Sequence, residues 1–120
     1  MEKSLYQTAY FYYENGFYTK AEKLFSDLLE QFPWNPNYWH ALASAQQADR
    51  NYKSALQSWS ILSVMDKVSP QPHFHAAECL LALAKPKEAL IALSNAKKRC
   101  MQTDPLLGQI GLLNSIWEQM

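Results

Sequence analysis

Apolar residues recur along the chain with the beat of helices. Leu5, Ala9 and Tyr12 share one helical face, as do Ala21, Phe25 and Leu28, then Ala55, Trp59 and Leu62, then Ala89 and Leu93. No segment alternates with period two, so no sheet is expected. The pattern predicts seven helices, at about 3–14, 18–31, 36–48, 52–66, 71–84, 86–100 and 105–118. Their punctuation agrees. Gly16 is a natural C-cap for the first helix, and Pro33 and Pro36 separate the second from the third. Pro70 and Pro72 open the fifth, where a first helical turn tolerates proline, and Asp104 with Pro105 forms an N-cap and N1 pair for the last.

The helices are not independent. Displaced by 34 residues, Tyr18 falls on Tyr52, Ala21 on Ala55, Phe25 on Trp59 and Leu28 on Leu62, while Leu5 falls on Trp39 and Ala9 on Ala43. A second displacement brings Ala43 onto Ala77, Ala55 onto Ala89 and Trp59 onto Leu93. This period, with Trp39-x-x-Leu42-Ala43 and Ala21-x-x-x-Phe25 before Pro33, resembles the tetratricopeptide repeat, a helix–turn–helix unit. The expected architecture is all-α. Three repeats at about 2–35, 36–69 and 70–103, and a capping helix at about 104–119, make one domain over 1–120, a right-handed α-solenoid.

Packing explains the repeated residue types. Ala9, Ala43 and Ala77 on the first (A) helices, and Ala21, Ala55 and Ala89 on the second (B) helices, are small so that the paired helices approach closely. Phe25, Trp59 and Leu93 fill the volume between units, with Trp39 on the second A helix beside them. One unit cannot bury its apolar stripe alone, whereas three stacked units share a continuous core. Nothing in the sequence precedes the first helix to cover its other flank, and Phe11 points that way.

Composition narrows the function. Lys+Arg and Asp+Glu both number 11 in 120 residues, so the formal charge is zero. Nucleic-acid and anionic-membrane binders need a basic surplus, and neither class of partner is expected. Three glycines leave no phosphate-cradling loop. Two cysteines make no disulfide framework, which favours a reducing cytosol. The first residues are polar where a secretory signal needs an apolar run, and the run Cys79-Leu80-Leu81-Ala82-Leu83-Ala84 is far too short to span a bilayer. No nucleophile has a base and orienting partner at motif spacing, so no enzyme and no cofactor are expected. His73, His75 and Cys79 are a weak metal constellation without a fourth ligand, and a buried structural thiol is the preferred reading of Cys79. Lys97-Lys98-Arg99 is read as complementing a helix dipole.

What stands out is tyrosine. Five of the seven lie within the first eighteen residues: Tyr6, Tyr10, Tyr12, Tyr13 and Tyr18. Spacing i, i+4, i+7 sets Tyr6, Tyr10 and Tyr13 in one narrow stripe, distinct from the core ridge of Leu5, Ala9 and Tyr12. The repeat positions already account for the core, so these three tyrosines are left over for ligand contact, the alternatives being packing against a neighbouring chain or a further helix. Resemblance to the tetratricopeptide family implies that positions 5, 9 and 12 of each A helix face a bound peptide. They are Tyr6, Tyr10 and Tyr13, then His40, Ser44 and Gln47, then Phe74, Glu78 and Leu81.

The subclass that clamps a C-terminal carboxylate carries Lys, Asn and Arg in its groove. This chain has Tyr6, Tyr10, Gln71 and His75 at the corresponding places, which argues against it. Leu5-Tyr6-x-x-Ala9-Tyr10-x-x-Tyr13-x-x-Gly16-x-Tyr18-x-x-Ala21, with Pro70-x-x-x-Phe74-His75-Ala76-Ala77-Glu78-Cys79-Leu80-Leu81, instead closely resembles the class II chaperones of bacterial type III secretion. That resemblance implies a cytosolic chaperone that holds an extended, proline-containing segment of a translocator, or of a secreted effector, before export. Relatives carry a further N-terminal arm used in dimerisation, whereas this sequence begins at the first repeat, leaving the uncovered first helix as the route to a homodimer. The rival expectation is a non-catalytic scaffold subunit of a larger assembly.

Overall fold

A computed structural model describes residues 1–120 and contains seven helices and no strand. They are α1 (Glu2–Glu14), α2 (Tyr18–Gln31), α3 (Pro36–Ala48), α4 (Tyr52–Met65), α5 (Gln71–Ala82), α6 (Pro86–Arg99) and α7 (Leu106–Glu118). Each packs on its neighbours in the chain, giving an elongated stack of 46 × 27 × 21 Å. The expected boundaries hold to within two residues, with α5 ending earlier, at Ala82, than the predicted 84.

The six repeat alanines Ala9, Ala21, Ala43, Ala55, Ala77 and Ala89 are fully buried, as is Leu93, and Phe25 and Trp59 are within one per cent of it. The core is three clusters in series. Ala9, Ala21, Phe25 and Leu28 join Tyr38, Ala41, Leu42 and Ala45 across the first two units. Ala43, Ala55, Trp59 and Leu62 join Ala76 and Cys79 across the second and third. Phe74, Ala77, Ala89 and Leu93 meet Ile110 and Trp117 of the capping helix. Every cluster draws on adjacent units, as expected of repeats that cannot bury their stripes singly.

The A–B turns repeat as closely as the core. Phe17 N–H donates to Tyr12 O, Asn51 N–H to Gln46 O and Lys85 N–H to Leu80 O, at 2.8–2.9 Å. This six-to-one bond closes a Schellman-type turn, whose preceding residue takes left-handed backbone. Gly16 does so at φ 82°, and its equivalents are Arg50 at 64° and Ala84 at 60°. Glycine supplied this conformation in the first unit only, so the sequence marked one such turn and concealed the other two.

Lys97, Lys98 and Arg99 lie in the last turn of α6, where they complement its dipole, and Arg99 does more. Arg99 reaches back to the C-terminal end of α4, where Nη1 donates to Asp66 O at 2.8 Å and Ser69 O at 3.2 Å. Its Nη2 donates to Ser63 O at 3.2 Å. It satisfies the end of α4 and pins the following loop to α6. At the other junction Asp104 Oδ1 accepts from Leu106 N–H at 2.9 Å, capping the first turn of α7 as expected.

Candidate functional site

Tyr6, Tyr10 and Tyr13 form the continuous ridge their spacing predicts. Ring centroids are 5.2 Å apart from Tyr6 to Tyr10 and 5.9 Å from Tyr10 to Tyr13, both edge-to-face. The ridge does not stand clear of the core. Tyr6 and Tyr10 each reach Phe25, at 6.0 and 5.9 Å, and all three tyrosines are half-buried. The expectation that they were surplus to packing is therefore corrected: one face of each ring completes the first cluster, and the other edge is left to solvent. Tyr12 packs on the same cluster without being fully buried.

The wall extends through a residue the sequence did not single out. Tyr38 of α3 lies 5.2 Å from Tyr6, and its hydroxyl donates to the Glu2 carboxylate. That hydrogen bond, with burial and the negative charge of Glu2, pushes the Tyr38 hydroxyl up to about 12. Burial, followed by the neighbouring tyrosines, raises Tyr6 to about 12, so both hydroxyls stay neutral throughout the physiological range. Tyr38 precedes His40 by two positions and had no distinguishing motif; only the packing of α3 on α1 and α2 reveals it.

Farther along, Tyr13, Ser44, Gln47, Ala48, Trp59, His75 and Glu78 line a cleft of about 270 Å³. Trp59 forms its floor. His75 stacks on the indole at 4.6 Å, and His40 meets it edge-on at 5.1 Å. Trp59 Nε1 donates to Gln47 Oε1 at 2.8 Å, Gln47 Nε2 donates to Glu78 Oε1 at 3.1 Å, and His75 Nδ1 lies 2.6 Å from the same carboxylate oxygen. Burial pushes the Glu78 carboxyl up, but the hydrogen bond and charge of His75 and the hydrogen bond from Gln47 outweigh it, leaving the group below its ordinary value. Partial burial, then the charge of His75, holds His40 below its ordinary value.

Of the nine expected groove residues, seven line this aromatic wall or the cleft beside it. The other two differ. Phe74 is only 5% exposed and packs into the third cluster with Ala77 and Leu93, so it supports the groove from beneath. Leu81 is half-buried against that same cluster. His75, one position after Phe74, takes the expected place in the cleft. Phe74 is drawn into the cluster with Ile110 and Trp117, which helical position alone does not record.

Cys79 is fully buried beside Trp59, and its thiol is pushed up to about 12, first by burial and then by the charge of Glu78. That is an inert structural thiol. No group of three or more His, Cys, Asp or Glu side chains lies close enough to share a metal ion. No helix is long and apolar enough to cross a membrane.

Three helix–turn–helix units in 34-residue register, closed by a capping helix and walled on the A-helix side by aromatics, define a tetratricopeptide-repeat protein. The chain belongs to the family described as anaphase-promoting complex, cyclosome, subunit 3, whose model matches residues 2–96. It is also 34% identical over 87 residues to low calcium response locus protein H of Yersinia pestis, covering 72% of this chain and 52% of that protein. The chain thus spans about half the length of the curated relatives it matches. Among solved structures it resembles SycD of Yersinia enterocolitica, a type III secretion chaperone in complex with a peptide of the translocator YopD. Identity there is 29% and the TM-score 0.89, over 98% of this chain and 92% of that one. It also resembles PcrH in complex with the chaperone binding region of PopD, at 27% identity and a TM-score of 0.88, over 98% and 90% of the two chains.

Proposed function

We propose that this protein is a cytoplasmic type III secretion chaperone. In this reading the A-helix groove holds an extended, proline-containing segment of a translocator or secreted effector. The carrying observation is the aromatic wall of half-buried Tyr6, Tyr10 and Tyr13, backed by buried Tyr38 and continuous with the cleft over Trp59. Such a wall offers rigid apolar area at low entropy cost, with hydroxyls for the wet edge. Likeness to SycD, solved with a peptide of the translocator YopD, and to PcrH, solved with the chaperone binding region of PopD, supports the same reading.

The mechanism needs no catalysis. A client with membrane-active segments aggregates or pairs prematurely when free. Proline-rich segments start near polyproline II, so docking them orders little additional chain. Apolar anchors seated between the tyrosines contribute about 1–3 kcal/mol each, with a few dominating. Release comes from competition or from the export machinery. Mass spectrometry of what co-purifies from the native cytoplasm tests this: one membrane-active secreted protein is expected, and a set of folded assembly subunits contradicts it.

The scaffold reading has one observation of its own. Trp34, Ile61 and Val64 are exposed around an apolar recess beside α4, away from the tyrosine wall. Under that reading the same purification returns folded partners whose retention depends on Trp34 and Val64. The flank of α1 and its turn bearing exposed Phe11 and Phe17 is the surface proposed for a homodimer, testable by sedimentation of a Phe11→Glu variant.

A further inference from the structure

Glu78 sits in the cleft as a carboxylate with half its bonding capacity unused. Both of its contacts fall on Oε1, from Gln47 Nε2 and His75 Nδ1, and Oε2 has no partner within the protein. No lysine or arginine lies within ion-pair distance of it. Its side chain keeps 37% exposure, so the free oxygen is reachable from the groove. The nitrogen partners beside it, Gln47 Nε2 and His75 Nδ1, are already engaged at Oε1. Ser44 Oγ spends its proton on His40 O at 2.8 Å, leaving lone pairs, and Gln47 is committed to Trp59 and Glu78. Tyr13 closes the cleft from the first unit with an aromatic ring that burial keeps neutral.

An ionised carboxylate between a tyrosine ring and a tryptophan, with Oε1 held by His75 and Gln47, Oε2 free and no lysine or arginine beside it, matches a cationic side chain. The charged head takes a charge-assisted hydrogen bond from the free oxygen, and the alkyl stem lies along the aromatics. We infer that the cleft is a subsite selecting a lysine or arginine of the bound segment, one step along the groove from its apolar anchors at Tyr6 and Tyr10. The inference rests on the groove reading above and adds a specificity element to it. A backbone amide of the segment is the competing donor. It is disfavoured because a neutral amide adds no charge compensation to that of His75 in a partly desolvated site.

Selection from a displayed library of random 12-residue peptides, run in parallel on the wild type and on Glu78→Gln, tests this. Circular dichroism first verifies that both have the same helical content. The wild type is expected to enrich peptides with Lys or Arg at a fixed offset from proline or apolar anchors. Glu78→Gln is expected to keep the anchors and lose the cation. For one enriched peptide, replacing Arg by citrulline should weaken binding to the wild type about tenfold and to Glu78→Gln less than about twofold. Enrichment of anchors without a cation in both selections overturns the subsite and leaves the groove standing. Weaker binding by Glu78→Gln without cation enrichment assigns the contact to a backbone amide and also overturns it. Peptides whose binding is indifferent to Tyr6→Ala and Tyr10→Ala, or no enrichment by the wild type, overturn the groove reading and the subsite together.

Discussion

The indole N–H of Trp59 donates to Gln47 Oε1 at 2.8 Å, joining the largest fully buried side chain of the core to the wall of the groove. Trp59 fills the space between the second and third units, and the same ring carries His75 and His40 on its groove side. Fold and site therefore share a residue. Trp59→Ala is expected to cost about 3–5 kcal/mol of stability by urea denaturation. Trp59→Phe keeps much of the volume, loses the hydrogen bond, and should cost less while still releasing Gln47 and loosening the cleft. Equal losses for the two variants would show that the indole hydrogen bond, which both lack, outweighs the packing that only alanine removes.

The tyrosine ridge carries a comparable double duty. Tyr6 and Tyr10 contact Phe25, so Tyr6→Ala with Tyr10→Ala should both abolish client binding and lower the melting midpoint. Tyr6→Phe with Tyr10→Phe keeps the ring packing and removes only the hydroxyls. Its melting midpoint should stay close to wild type while affinity for a client segment falls measurably by calorimetry. Unchanged affinity would assign the ridge's contribution to the rings alone.

The left-handed residues at the A–B turns give a stability prediction independent of function. Arg50 and Ala84 occupy the backbone conformation that Gly16 adopts freely. Arg50→Gly and Ala84→Gly should each stabilise by about 0.5–1 kcal/mol in denaturant titrations, because a side chain is strained there. Gly16→Ala should destabilise by a similar amount.

Two histidines set a pH dependence. Burial lowers His40, with help from His75, and burial lowers His73, with help from the Arg99 charge. A lowered histidine means that the unfolded chain takes up a proton more readily than the folded one. Their contribution to stability is thus fully present above the ordinary value of 6.5 and is lost as pH falls through the lower folded values. The melting midpoint should fall between about pH 7 and 5, and His40→Gln with His73→Gln should flatten that slope. Glu78 adds to the loss further down. Its carboxyl is below the ordinary 4.5, so its stabilisation is present above that value and disappears as pH drops beneath it.

The repeat made most of the fold legible, because six alanines and three large residues at one period leave little freedom in how the helices pair. The Tyr6, Tyr10, Tyr13 stripe was legible for the same reason, since helical spacing alone puts it on one face. Tyr38 was not, because its importance arises from a contact between α1 and α3 that no local pattern records. The exchange of Phe74 for His75 had a similar origin: Phe74 is buried among residues of α6 and α7 that lie far away in sequence. Left-handed Arg50 and Ala84 were hidden because residue type normally advertises such a turn, and here only Gly16 did.

The most direct test of the account is site-specific photocrosslinking in the native bacterium. A benzophenone amino acid is placed at Ser44, in the groove, or at Val64, which is 68% exposed beside α4. Crosslinks from position 44 to one secreted translocator or effector, mapping to an extended proline-containing segment and absent from position 64, are predicted. Crosslinks to folded partners from position 64, with none from position 44, would contradict the groove as the working surface.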